Sequence, residues 1–362
     1  MFVATLSATA AEVFTYIGYI LLALVGLMIM IVVHEFGHYI AGKLLHFKIE
    51  EFAIGFGPAL FKRRNKKTGE LFSIRAFPIG GFCGFYEEDS DTEDKEGFNS
   101  HKPWQRLIVL FSGALFNFLS AILIITIYFT AYGQLLPVIT KTYDVNGEAN
   151  VFQAGDVILA VDGKQVNIMT QDDYEAVFAD ADNGVTVKVL RDGKAVKITV
   201  EKGSYTLPAE DNDGVEETKT GMGIRYGLSS VKLGFFRAFG RSFGFSFFIV
   251  FKILASLGAL LTGKIGLEAA GGTVTVIKTM ADVSAGGFGN FLYVMAIISA
   301  NLAVMNLLPI PSLDGSRMVF TLIEMIFRKP VPRKVEAVIH TVGLVLIVLL
   351  AVFLDIFHLV KT

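Results

Sequence analysis

His34, Glu35 and His38 stand at the end of an almost unbroken apolar run from Phe14 to Val33. On a helix, residues i and i+4 share a face, so two neutral imidazoles at this spacing can hold one Zn²⁺. Glu35, between them, stays within reach of a water on that ion and could act as its base. As a bare pattern, H-E-x-x-H is short enough to arise by chance, and two surface histidines at a helix end are the plain alternative. Location sharpens it, because ionisable groups inside a membrane span are costly and kept for function.

A catalytic zinc takes three protein ligands and leaves one position open. The chain has 6 histidines, so beyond the motif only His46, His101, His340 and His358 remain. That scarcity excludes membrane di-iron desaturases and points to a carboxylate. Asp314 is the leading candidate, in the stretch Asn306-Leu307-Leu308-Pro309-Ile310-Pro311-Ser312-Leu313-Asp314-Gly315. The two prolines stop a helix and hold an extended segment, and Gly315 permits a sharp turn. Asp314 is equally placed to cap a following helix over Gly315–Phe327. Glu268 and Glu324 are the nearest glutamate alternatives.

These groups need a scaffold, and composition indicates which. Of 362 residues 53% are hydrophobic and 18% charged, against about 25% charged in an ordinary soluble domain. The expected class is a polytopic α-helical membrane protein. A net charge of −2 gives no reason to expect nucleic acid, and the single cysteine, Cys83, excludes an intramolecular disulfide. Residues 1–13 carry no Lys or Arg and the first apolar run is too long for a signal-peptide core, so the N-terminus is expected to stay as part of the first span.

Apolar runs long enough to cross a bilayer lie at about 14–41, 107–131, 288–308 and 335–360. A fifth, 242–261, follows Arg237 and Arg241 and is interrupted by Lys252. The basic residues of 43–106, and those from Arg317 to Lys334, should both be cytoplasmic. Four spans satisfy this with both termini outside, so 229–262 is expected to lie at the interface. The acidic run Glu87–Glu96 reads as a solvated loop. Residues 51–60 and 71–85 are Gly-rich, aromatic and extended, and Gly80-Gly81 allows a tight turn or a close backbone approach. Between the second and third spans, residues 133–226 read as a small α+β module. A strand and turn occupy Asp156–Gly163, a helix Gln171–Ala179, and a hairpin pairs 185–190 with 195–200 on an Asp192-Gly193 turn.

HEFGH in a first span, N-x-x-P-x-P-x-L-D-G in a later one and a β-rich insert between them resemble the site-2 protease family, in its bacterial PDZ-containing branch. The resemblance covers essentially the whole chain. It implies an intramembrane zinc metalloprotease with about four transmembrane helices, a membrane-associated β-hairpin and an inserted PDZ-like domain. In that layout residues 1–42 are the first transmembrane helix and 43–104 the re-entrant hairpin segment with its acidic loop. Residues 105–132 are the second helix, 133–226 the extracytoplasmic PDZ-like domain and 227–285 an interfacial segment. The third helix, with its motif, takes 286–333 and the fourth 334–362.

Residue by residue, the resemblance implies that His34, His38 and Asp314 bind Zn²⁺ and that Glu35 is catalytic. It also implies that Asn306 holds the substrate backbone and that the Gly80-Gly81 region pairs with an unwound substrate strand. Ala154–Leu159 matches a PDZ strand. Two departures touch no ligand: Ser112-Gly113-Ala114 and Gly271-Gly272-Thr273 stand where Gly-Pro pairs are usual, and Asn117 reads equally as a helix-packing residue. The implied partners are the bilayer and membrane-anchored, single-span proteins already trimmed by another protease, such as an anti-sigma factor or a signal-peptide remnant. The implied location is the bacterial plasma membrane, with the active site toward the cytoplasm. A PDZ-bearing scaffold or transporter with a metal-free site is the competing class.

Overall fold

The computed structural model describes residues 9–87, 96–179, 184–211 and 214–361, so most of the acidic run lies outside the described residues. The elements, in order, are α1 (Ala10–Leu44), β1 (Ile49–Arg64), β2 (Leu71–Phe85), α2 (Pro103–Ala131) and β3 (Gln134–Thr142). Then come β4 (Val157–Val161), β5 (Lys164–Gln165), α3 (Gln171–Glu175), β6 (Val185–Arg191), β7 (Lys194–Val200), β8 (Gly203–Leu207), β9 (Glu217–Gly221) and β10 (Ile224–Val231). The chain ends with α4 (Phe235–Leu261), α5 (Thr273–Ser284), α6 (Phe288–Leu307), α7 (Asp314–Phe327) and α8 (Arg333–Lys361). Two compact units result, Thr126–Phe248 and the remainder.

In the larger unit, a capping box of Thr9 and Glu12 starts α1, and Pro103 takes the first position of α2, where its missing N–H costs nothing. Among the described residues, five helices are long and apolar enough to cross a membrane: α1, α2, α4, α6 and α8. Lipid is as apolar as leucine, so such helices associate through small residues and polar contacts. Both are present here. A Cβ on Gly37 would lie 2.4 Å from the Ser112 carbonyl, so only glycine lets α1 and α2 approach. Ser120 and Ser299 hydroxyls stand 2.6 Å apart, and Ser299 donates to the Asn117 carbonyl at 2.8 Å, tying α2 to α6.

β1 and β2 make more than a simple hairpin. Ile49–Ile54 pair on one side with Gly81–Phe85, while Glu51–Ile54 also face Leu71–Ile74, which in turn face Phe61–Arg64. Each long strand bends and is used twice, giving a four-row sheet. The bends fall at Gly55 and Gly57, both with φ 85, and at Gly80, with φ 102. Gly80-Gly81 is therefore a strand bend and close approach; the turn lies between Asn65 and Glu70. Phe47, Ile49, Phe52, Phe85, Phe98 and Val109 are buried together, locking this sheet to the end of α1 and the start of α2.

The smaller unit holds an antiparallel sheet in the order β10-β3-β4-β6-β7, with β5 on β4, and a separate β8-β9 pair. Alternating Val185, Val187 and Val189 face a core with Leu136, Ile139 and Ile158. The expected turns recur, with Asp162-Gly163 and Asp192-Gly193 all at positive φ. The expected helix over 171–179 is shorter: α3 ends at Glu175 and a 3₁₀ turn follows. Arg241 from α4 is buried in this unit and donates to Gln134 Oε1 (2.6 Å) and to the Leu159 (2.9 Å) and Val166 (2.7 Å) carbonyls.

Candidate active site

His34 and His38, one turn apart on α1, meet Asp314 at the first turn of α7. His34 Nε2 lies 3.0 Å and His38 Nε2 3.3 Å from Asp314 Oδ2, and the two imidazole nitrogens are 3.1 Å apart. Among the described residues, these three are the one group of histidine and acidic side chains close enough to share a metal ion. The route of Asp314 to this point is strained. Ser312 has φ 77, a costly value for a residue with a side chain. Leu313 is the N-cap of α7 and there is no side-chain capping bond, so the Asp314 carboxylate is not used as a cap.

The protons decide what this triangle can hold. His38 Nδ1 lies 2.8 Å from the Val109 carbonyl, which can only accept, so Nδ1 carries the proton and Nε2 presents a lone pair. His34 Nδ1 lies 3.5 Å from the Asn117 amide and 3.4 Å from the Asn306 amide. Asn117 Oδ1 is buried without a hydrogen-bond partner. Turning that amide over gives Oδ1 the Nδ1–H of His34 and leaves His34 Nε2 as a second lone pair. Asp314 Oδ2 is likewise buried and receives no hydrogen bond. Three acceptors facing one point repel unless a cation lies between them. Zinc bonds of about 2.0–2.1 Å put tetrahedral ligand atoms about 3.3–3.4 Å apart, close to the separations here. The donor set fits Zn²⁺.

Glu35 Oε2 accepts the Cys83 N–H at 3.0 Å. That N–H leaves the edge of the β1–β2 sheet, so the sheet holds Glu35 directly. A Cβ on Gly81 would lie 2.9 Å from the Ala53 carbonyl and 3.7 Å from Glu35 Cγ. Gly81 therefore borders the site, whereas Gly80 turns the strand beneath Phe56. Asn306, in the last turn of α6, stands beside His34. Glu324 is engaged with Arg106 at 2.5 Å, which removes it as a rival ligand.

Two more neighbours complete the site, and the first corrects the expectation that Ser112-Gly113-Ala114 touches no ligand. Gly113 lies under both imidazoles, and a Cβ there would be 2.4 Å from His38 Nε2 and 2.7 Å from His34 Cε1. His340 on α8 accepts the Ser312 N–H at Nδ1 (2.9 Å), pinning the loop that delivers Asp314. Pro311 also sits against Gly343, where a Cβ would come within 2.2 Å.

Comparison with known proteins agrees with this geometry. Residues 22–350 match the family described as Peptidase family M50. A protein of Clostridium perfringens is 32% identical over 346 residues, covering 93% of this chain and 97% of its own length. One from Fusobacterium nucleatum is 32% identical, covering 90% and 94%, and one from Nostoc 30%, covering 92% and 94%. Each is described by name as a zinc metalloprotease.

Proposed function

The chain belongs to peptidase family M50, and from that membership we propose that it hydrolyses peptide bonds within or near the transmembrane segments of membrane-anchored proteins. The observation that carries this reading is the meeting of Asp314 Oδ2 with two lone-pair nitrogens of α1. His34, His38 and Asp314 are the zinc ligands. When bound, zinc supplies a Lewis acid that lowers the pKa of water and polarises the scissile carbonyl.

The residues do the rest. Glu35 Oε2 is held by the Cys83 amide, leaving Oε1 to take a proton from the attacking water and later pass it to the leaving amine. Val109 and Asn117 fix the imidazole tautomers. A helical substrate hides its carbonyls in its own hydrogen bonds, so it must unwind before attack. The β1–β2 sheet edge near Gly80-Gly81 offers the released backbone new partners, and Asn306 holds the strand beside His34. Residues 133–226 are a PDZ-like domain that screens substrates by the size of their ectodomains or binds a first-cleavage product.

Four crossings (α1, α2, α6 and α8) fit the charge pattern, with the basic segments and the site toward the cytoplasm of a bacterial plasma membrane. Contacts within the larger unit support this count. Tyr16 near the start of α1 donates to Asp282 of α5 at 2.8 Å, and Thr275 of α5 donates to Asp355 near the end of α8 at 2.9 Å. α2 and α8, in contrast, begin around one cavity. A crossing α4 would deliver α5 to the face where α2 and α8 begin, not to the end of α8.

The test is a single-span substrate reconstituted with the protein in liposomes, with cut sites read by mass spectrometry. Wild type should cut inside or beside the apolar segment, and Glu35→Gln should not. Cleavage confined to soluble loops, or retained by Glu35→Gln, would refute the proposal.

A further inference from the structure

A cavity of about 560 Å³ in the smaller unit lies between strands β4, β6 and β7 and the first turns of α4. Lys188, Lys197, Arg237 and Arg241 line it, and no acidic residue does. Lys188 and Lys197 stand directly opposite each other on β6 and β7, an arrangement of like charges that destabilises a sheet. Ala160 of β4 pairs with Lys188 on its other side, and its small side chain leaves the space open. Arg237 donates to the Gly193 carbonyl at 3.1 Å. Arg241, 8% exposed, bonds only to neutral oxygens, those of Gln134, Leu159 and Val166. Three of its five N–H groups are engaged there, so two remain for an acceptor. Among the described residues, none of these four cations pairs with a carboxylate. A buried charge without a counter-ion is costly until an anion arrives.

We propose that this cavity binds the phosphate headgroup of an anionic phospholipid. Phosphate oxygens accept from guanidinium and ammonium groups alike. What favours a lipid over a soluble anion or an acidic peptide is α4. It is long and apolar enough to span a bilayer, and Phe235, Phe236 and Phe239 in its first turns are exposed. Phe236, 87% exposed, itself lines the cavity. Whether α4 lies on the bilayer or enters it, its start is at headgroup depth, where clusters of Lys and Arg attract anionic lipids. An amphiphile finds both of its halves met there, cations for the phosphate and phenylalanines for the chains. A bound phosphate also offsets the repulsion between Lys188 and Lys197, so lipid and fold stabilise each other.

The readout requires no peptidase activity, so it stands or falls separately from the proposed function. The full chain is placed in nanodiscs of phosphatidylcholine mixed with phosphatidylglycerol, and retained lipid is counted by native mass spectrometry. Phosphatidylglycerol should be retained severalfold over phosphatidylcholine. K188Q/K197Q, which relieves a like-charge pair and so keeps the fold, should lose a bound phosphatidylglycerol. Equal retention of both lipids by wild type, a comparison needing no variant, would overturn the proposal. So would an unchanged count of phosphatidylglycerol in K188Q/K197Q. Displacement of that lipid by excess inorganic phosphate or by oligoglutamate would mark a site for soluble anions and overturn it as well.

Discussion

Gly113→Ala adds one methyl group inside a helix, where alanine is normally the better residue by about 1 kcal/mol. Here the added carbon falls 2.4 Å from His38 Nε2 and 2.7 Å from both His34 Cε1 and His38 Cε1. Non-bonded heavy atoms rest at about 3.5 Å or more, so His38 must retreat by about 1 Å. It has nowhere to go, because Val109 holds its other nitrogen at 2.8 Å and Gly37 lies against the Ser112 backbone. Metal sites tolerate ligand errors of about 0.2 Å, and a misplacement of about 1 Å costs about 100-fold in rate, or about 2.7 kcal/mol. The purified variant should therefore melt within a few degrees of wild type yet carry much less zinc and cleave at least about 100-fold more slowly. Full zinc occupancy with near-normal cleavage would show that Gly113 does not shape the metal cradle.

Gly37→Ala strikes backbone, since its Cβ would lie 2.4 Å from the Ser112 carbonyl; α1 and α2 should separate at a cost of about 1–3 kcal/mol, seen as a lower thermal midpoint. His340→Ala removes the acceptor of the Ser312 N–H and should weaken zinc affinity, while His340→Asn, which can return an oxygen to that N–H, should restore part of it in a chelator competition. In the smaller unit, burial alone would raise the Asp156 carboxyl, but Arg191, bonded to it at 2.8 and 2.7 Å, and the Gln153 N–H hold it below its ordinary value. A depressed carboxylate contributes fully above its unfolded pKa of about 3.9 and loses that contribution as pH falls through the folded value. Hydrogen exchange across residues 133–231 of the full chain should thus accelerate at acid pH, and Arg191→Gln should flatten that dependence.

Legibility followed the range of the interactions. HEFGH, the apolar runs and the Asp-Gly turns are local patterns, and each predicted the element found. Asp314 was also visible, because two prolines and a glycine around an acid at a span's end are rare; its alternative role as a helix cap fell only when Leu313 took the N-cap. The double use of β1 and β2 was hidden, since pairing Glu51 with both Gly84 and Leu71 leaves no periodic trace. Gly113 was hidden because its importance is the absence of a side chain. His340 was one of four unassigned histidines until α8 set it against Ser312. α4 was ambiguous for a physical reason: its apolar length suits a span, while Arg241, now buried in the smaller unit, argued for a surface. The competing class, a metal-free scaffold, lost ground to family membership.

Zinc stoichiometry on the purified chain and its ligand variants tests the metal centre most directly. Wild type and Glu35→Gln should each carry one zinc per chain, and His38→Ala and Asp314→Ala should carry none after dialysis while remaining folded. Retention of the metal by Asp314→Ala, or its absence from wild type, would contradict the account.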